Sequence, residues 1–192
     1  MGSGVVTAQA TPSRAGNMTA KEQVADQLRI VQEYALRAES FTRLDVLLEQ
    51  RRRLPRAVWL KLLGQLWTVC DNVGKRRLTL RKVLGVKGPL LPMMDSDERA
   101  AYRRLPDVVT IYRGCGARNL LGASWSLDRD VAARFPFLGR YLAAQPLLLT
   151  ATVAKESVLA VKLGRDEAEI VTFVARRRRV DSLLAGSADK GS

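Results

Sequence analysis

The chain has 192 residues, of which 47% are hydrophobic, and a formal net charge of +13. This supplies one packed domain, or one core with a helical lobe, and excludes global disorder. With no histidine in the chain, Ser-His-Asp and Cys-His catalysis and most zinc sites are excluded, and no apolar run approaches the ~20 residues that span a bilayer.

Residues 1–17 are small and polar and read as a disordered leader, with no basic segment ahead of an apolar run that would mark a secretion signal. Order is expected from Thr19, where Thr19-Ala20-Lys21-Glu22 forms a capping box. The helix that follows carries Val24, Leu28, Val31, Tyr34 and Ala35 at helical spacing. Ser40 or Thr42 is placed to cap a second helix through Leu44, Leu47 and Leu48, which ends in Arg51, Arg52 and Arg53. Cations there complement the helix dipole. Pro55 suits the first turn of a third helix, whose apolar face carries Val58, Trp59, Leu62, Leu63, Leu66, Trp67 and Cys70 until Asn72-Val73-Gly74 ends it. Both tryptophans recur with the leucines and are assigned to the core. Leu78, Leu80, Val83 and Leu84 predict a fourth helix, Gly88-Pro89 and Pro92 a linker, and Asp95-Ser96-Asp97-Glu98 the cap of a fifth helix running to Arg103.

From Val108 the chain changes character. β-Formers dominate at 108–112, 147–153, 158–161 and 169–174. Asp128 reads as the N-cap of a short helix through Val131, Ala132 and Phe135. A helical first half followed by a β-rich second half predicts an α+β fold, with a helical lobe at 18–105, a core at 106–184 and a flexible tail at 185–192. The two cysteines do not make a disulfide framework, which suits a reducing cytosol. Cys70 is expected in the core. Cys115, in a glycine loop, is expected to be exposed and has no histidine to activate it.

The candidate site residues follow the same order. Arg113 ends the first strand and is followed by Gly114 and Gly116, so a cation adjoins backbone that a ligand can approach closely. Ser124-Trp125-Ser126 places two hydroxyls around an aromatic. Glu167-Ala168-Glu169 enters a late strand. Arginine on a strand, Ser-x-Ser on a second and Glu-x-Glu on a late one resembles the arginine–serine–glutamate class of mono-ADP-ribosyltransferases, of bacterial or bacteriophage type. The resemblance covers roughly residues 108–173, with Trp125 standing where that family has threonine.

The resemblance implies a helical lobe packed on a β-sandwich-like pair of sheets that holds NAD as substrate, without a metal. The missing histidine excludes the family's histidine–tyrosine–glutamate branch. Glu169 takes the place of the carboxylate that stabilises charge on the ribose, and Ser124 that of the group orienting it. Arg113 is implied to bind a phosphate or brace the ribose, with Gly114 and Ser126 also at the nucleotide. Phe135 is implied to stack on nicotinamide, the alternative for an aromatic on a short helix being a place in the core, and Glu167 is implied to orient the acceptor. Glu-x-Glu goes with arginine acceptors on proteins. The absence of a secretion signal points to an enzyme acting in the cell where it is made, such as the cytoplasm of a bacterial or phage-infected cell, or to an effector delivered by a larger apparatus.

The positive charge leaves other readings open: ADP-ribosylation of RNA or DNA, a basic nucleic-acid-binding module without catalysis, or a non-catalytic fold that binds a partner. Arg176 to Arg179 fits a strand with a solvated face and a nucleic-acid-facing patch equally well.

Overall fold

The computed structural model describes residues 19–71, 73–164 and 168–184. The predicted leader, the tail and Glu167 lie outside the described residues.

The helical half comprises α1 (Ala20–Arg37), α2 (Arg43–Gln50), α3 (Arg56–Leu66), α4 (Arg77–Leu84) and α5 (Ser96–Arg104). Two of the starts follow from local capping. Thr19 Oγ1 accepts from the Glu22 N–H at 3.3 Å while the Glu22 carboxylate accepts from the Thr19 N–H at 2.7 Å. Asp95 accepts from the N–H groups of Asp97 and Glu98, each at 2.9 Å, and Glu98 accepts from the Asp95 N–H. Each box satisfies donors that a helix start leaves unpaired.

The second helix departs from expectation. Thr42 stands at its N-cap, but the hydroxyl donates backwards to the Glu39 carbonyl, and Ser40 donates to Asp71 instead. The third helix is shorter than expected. Its α-helical part stops at Leu66, and Trp67–Val69 is a tighter 3-10 turn. Arg43 explains why the chain can stop there: its guanidinium donates to the carbonyls of Val69, Ala35 and Ala38, taking up acceptors that the ends of α1 and of the turn leave free. In α4, Leu80 and Leu84 are buried, whereas Leu78, expected on the inner face, is 75% exposed. The linker is tied to the second half: the N–H groups of Gly88 and Leu90 donate to the carbonyls of Glu156 and Leu159.

The second half comprises β1 (Val108–Gly116), β2 (Ser124–Ser126), α6 (Arg129–Arg134), β3 (Pro146–Ala154), β4 (Ala160–Lys162), β5 (Glu169–Val171) and β6 (Arg176–Ser182). The fold is α+β, as predicted, with antiparallel pairing in the order β4-β5-β2-β1-β3-β6. The strands form one continuous sheet instead of the expected pair of sheets. The physical link is the antiparallel pair Tyr112↔Ser126 between β1 and β2. On either side of it lie two three-stranded halves, β4-β5-β2 and β1-β3-β6.

Period-two burial gives the sheet its inner face. Val109 and Ile111 on β1, and Leu149, Ala151 and Val153 on β3, are buried in one cluster with Trp59, Leu62, Leu63 and Trp67 of the helical half. Helices and sheet therefore share a core, in which each fully buried aliphatic side chain contributes about 1.5–3 kcal/mol. A buried ion pair fixes α5 to β4. Lys162 Nζ lies 2.7 Å from Glu98 Oε2 and also donates to the Met93 carbonyl at 3.0 Å. Among the described residues, no helix is long and apolar enough to cross a membrane.

Candidate functional site

Glu169 opens β5. Register sets its neighbours: Ser126 faces it from β2 and Lys162 from β4. Alternation along β2 puts Ser124 and Ser126 on one face and Trp125 on the other. The Ser124 hydroxyl lies near the Glu169 carboxylate and favours its ionised form. A hydrogen bond to that carboxylate comes from the helical half, where the Trp67 indole N–H reaches Glu169 Oε1 at 2.6 Å. Burial raises the Glu169 pKa above the ordinary carboxylate value. Ser124, Trp67 and the charges of Arg113 and Lys162 oppose that rise.

Arg113 reaches the same place from β1. Its Nη1 donates to the Ser124 carbonyl at 2.6 Å and its Nε to the Asn119 carbonyl at 3.4 Å. Burial pulls its pKa below the usual value, and Cys115 and Glu169 act in the opposite direction. The guanidinium lies against Gly122, where an added Cβ would sit 2.0 Å from Arg113 Cζ. Trp125 holds this loop from beneath. It is buried, and its indole N–H donates to the Gly122 carbonyl at 3.2 Å. The tryptophan at this position thus belongs to the core side of β2 and supports the arginine's seat.

These groups line a cleft of about 820 Å³, within the size range of small-molecule and cofactor sites. Its other walls include Phe135 and Tyr141, whose ring centroids are 5.9 Å apart in a tilted arrangement. The Tyr141 hydroxyl donates to Asp71 Oδ1 at 3.1 Å, and Asp71 also accepts from Ser40. The helical half therefore closes one side of the cleft through Trp67 and Asp71.

Of the residues singled out from the sequence, Arg113, Gly114, Ser124, Ser126, Phe135 and Glu169 all line this cleft. Glu167 lies outside the described residues. Several detailed expectations change. The Gly114 backbone borders the cleft, but its missing side chain serves packing. A Cβ there would meet the Ala132 carbonyl oxygen at 1.8 Å and Pro136 Cδ at 2.7 Å, so glycine is what lets α6 lie on β1. Ser126 Oγ accepts from the Asp128 N–H at 2.9 Å and shapes the turn into α6. Phe135 is half-buried in the cleft wall and not among the core residues.

Cys115, expected to be exposed, is only 5% exposed. The strand continues through it, paired with Leu147, and turns its side chain inward. Burial also raises its thiol pKa, away from a reactive thiolate. Cys70 is buried as expected, with its thiol pushed up to about 12.

Trp67 is the residue that the sequence reading assigned to the core alone. It is buried, yet it also supplies the donor to Glu169. Nothing in the local sequence marks it, because donor and acceptor are separated by 102 positions and meet only through packing of the two halves.

Chemically, the arrangement is a carboxylate that accepts from an indole N–H beside a serine hydroxyl, with a fixed guanidinium nearby and aromatic rings across the cleft. It can stabilise positive charge that develops on a ligand and can hold an anionic group of the same ligand. No family model, curated protein or solved structure matches this chain.

Proposed function

We propose that the chain is an NAD-dependent mono-ADP-ribosyltransferase of the arginine–serine–glutamate class, and that its strands form the core of such an enzyme. The observation that supports this most is the convergence of Arg113, Ser124 and Glu169, from three strands, on one cleft. The cleft's size and its mixture of aromatic, hydroxyl and charged groups suit a dinucleotide.

Bound NAD supplies the bond between nicotinamide and ribose, whose cleavage leaves positive charge on the ribose. Glu169 offers the negative charge that favours this, and Ser124 and Trp67 hold the carboxylate in place. Arg113, with Nη1 and Nε engaged by backbone carbonyls, is a preorganised cation for a phosphate. Phe135 offers its ring to a flat heterocycle. On this reading the acceptor is macromolecular, first of all an arginine side chain on a protein, with Glu167 orienting it. The enzyme then works in the cytoplasm of a bacterial or phage-infected cell, a setting supported by two free, buried cysteines.

The test is incubation of a cell lysate with labelled NAD and either wild type or Glu169→Gln. Wild type should label a discrete macromolecule and release nicotinamide. The variant should be slower by on the order of 10²-fold or more. Absence of both labelling and nicotinamide release with wild type would sink the proposal.

A further inference from the structure

The outer face of the half-sheet β1-β3-β6 carries a second feature, unrelated to the cleft chemistry. Register puts two cross-strand rows on it. One is Thr110, Thr152 and Arg176; the next is Tyr112, Thr150 and Arg179. Ladder irregularity at Thr150/Ala151 inserts Arg178 between the rows, where its Nε donates to Thr152 Oγ1 at 3.3 Å. Val109, Ile111, Leu149 and Ala151 turn the opposite way, into the core. The outward face therefore consists of hydroxyls and arginines beside one aromatic. Thr110, Arg176, Arg178 and Arg179 are exposed, and Thr150, Thr152 and Tyr112 are half-buried.

The next row, Gly114 with Leu148 and Asp181, is where α6 begins to cover the sheet, since Gly114 is packed against Ala132 and Pro136. Asp181 is the acid that register puts on this face, and it lies 2.5 Å from Arg179 Nε.

A charged edge strand has an ordinary use, which is to block edge-to-edge pairing. Here four consecutive residues of β6, Arg176 to Arg179, are arginines, and register and the Thr152 contact put three of them on one face. They stand among threonine hydroxyls and next to a tyrosine ring. Guanidinium groups and hydroxyls are the donors that contact phosphate and sugar, and an aromatic at the end of such a track is a surface on which a base can stack. An acidic protein segment could use the charge and the hydroxyls, but it brings no planar base to stack on the ring.

We infer that this face binds single-stranded nucleic acid, with Arg176, Arg178 and Arg179 on the phosphates and Tyr112 against a base. The inference stands apart from the NAD reading and can hold or fail without it. Because Tyr112 also lines the cleft, the surface and the cleft adjoin.

The test is fluorescence anisotropy with labelled single strands of about 12 nucleotides, RNA and DNA, titrated at salt concentrations from about 50 to about 200 mM. The triple variant Arg176→Ala/Arg178→Ala/Arg179→Ala should weaken binding and reduce the log–log salt slope by about 2, since each single-strand phosphate contact contributes ~0.7. The control removes the same charge elsewhere: Arg51→Ala/Arg52→Ala/Arg53→Ala, at three exposed residues beyond α2. It should leave the slope near its wild-type value. Tyr112→Ala should weaken binding without changing the slope.

Three outcomes would overturn the inference. The first is no binding by wild type at low salt. The second is an equal loss of affinity in the two triple variants, which would mean net charge alone. The third is competition by polyglutamate as effective as that by an unlabelled strand, which would assign the face to an acidic protein. RNA and DNA arms that differ would identify the natural polymer.

Discussion

Trp67→Phe isolates the contribution of one hydrogen bond to the proposed chemistry. The substitution keeps an aromatic ring in a buried position and deletes the indole N–H that lies 2.6 Å from Glu169 Oε1. A hydrogen bond to a charged group is worth ~1.5–3 kcal/mol, which corresponds to about a 10- to 150-fold loss of rate where the carboxylate must be ionised. The direction with pH follows from the same contacts. Burial already raises the Glu169 pKa, and the Trp67 N–H works against that rise. Deleting the donor moves the pKa further up. Activity that requires the carboxylate then rises with pH through a higher midpoint, so the defect is larger near pH ~6 than near pH ~9.

The assay is nicotinamide release from NAD across that range. Trp59→Phe is the control, because Trp59 is fully buried but donates to the Leu47 carbonyl at 2.7 Å, away from the cleft. Both variants should lose stability through the smaller ring, about 1–3 kcal/mol each, yet only Trp67→Phe should shift the pH profile. A rate defect that is independent of pH, or an equal profile shift in both variants, would refute the role assigned to the indole.

Glu169→Gln should abolish activity and yet stabilise the fold as pH rises. A carboxyl whose folded pKa is raised contributes stability below its unfolded pKa and loses it as pH climbs through the folded one, and glutamine removes that loss. Thermal melts should show the variant gaining on wild type as pH rises above the ordinary carboxylate value, and a gap that stays constant with pH would contradict the burial of the charge. Gly122→Ala and Gly114→Ala should fail differently. The first displaces only the end of the Arg113 side chain and should lower activity with little change in Tm. The second meets backbone of α6 at 1.8 Å and should cost about 1–3 kcal/mol or more in stability, read by the same melts. Glu98→Ala leaves Lys162 buried without its carboxylate. A cost of about 3–5 kcal/mol is expected, or a Tm lowered by about 6–20 °C at this chain length. A drop of under about 2 °C would show that the pair is neutralised in some other way.

Much of the fold was legible because its signals are local. Thr19 with Glu22, and Asp95 with Glu98, state two helix starts within four residues each. The β-branched runs announce β1 and β3, and the three residues that converge on the cleft follow along the chain in the expected order, although Arg113 lies within β1 and not at its end. What could not be read is where long-range geometry overrides a local cue. Asn72-Val73-Gly74 looks like the end of α3, but Arg43 receives the chain earlier by capping Val69. Gly116 looks like the end of exposed loop, but β1 runs through it and buries Cys115. Leu78 sits on the helical period, but α4 presents the face of Leu80 and Leu84 to the core.

The same reasoning explains why the site was read only in part. Its central carboxylate is a property of three separate segments. β5 supplies Glu169, β2 supplies Ser124, and the 3-10 turn after α3 supplies the Trp67 donor. The cation is set by a fourth segment, since the Arg113 guanidinium is held between the Ser124 and Asn119 carbonyls over Gly122. Residue types can be matched to a chemistry from a sequence, because a carboxylate remains a carboxylate wherever it lies. The ionisation of Glu169 cannot, because it depends on an indole from the other half of the molecule and on a desolvation that exists only once the halves share a core. The helical half is thus part of the site's electrostatics as well as of its walls. Substitutions that loosen its packing against β5 should therefore change the pH dependence of the reaction before they unfold the protein.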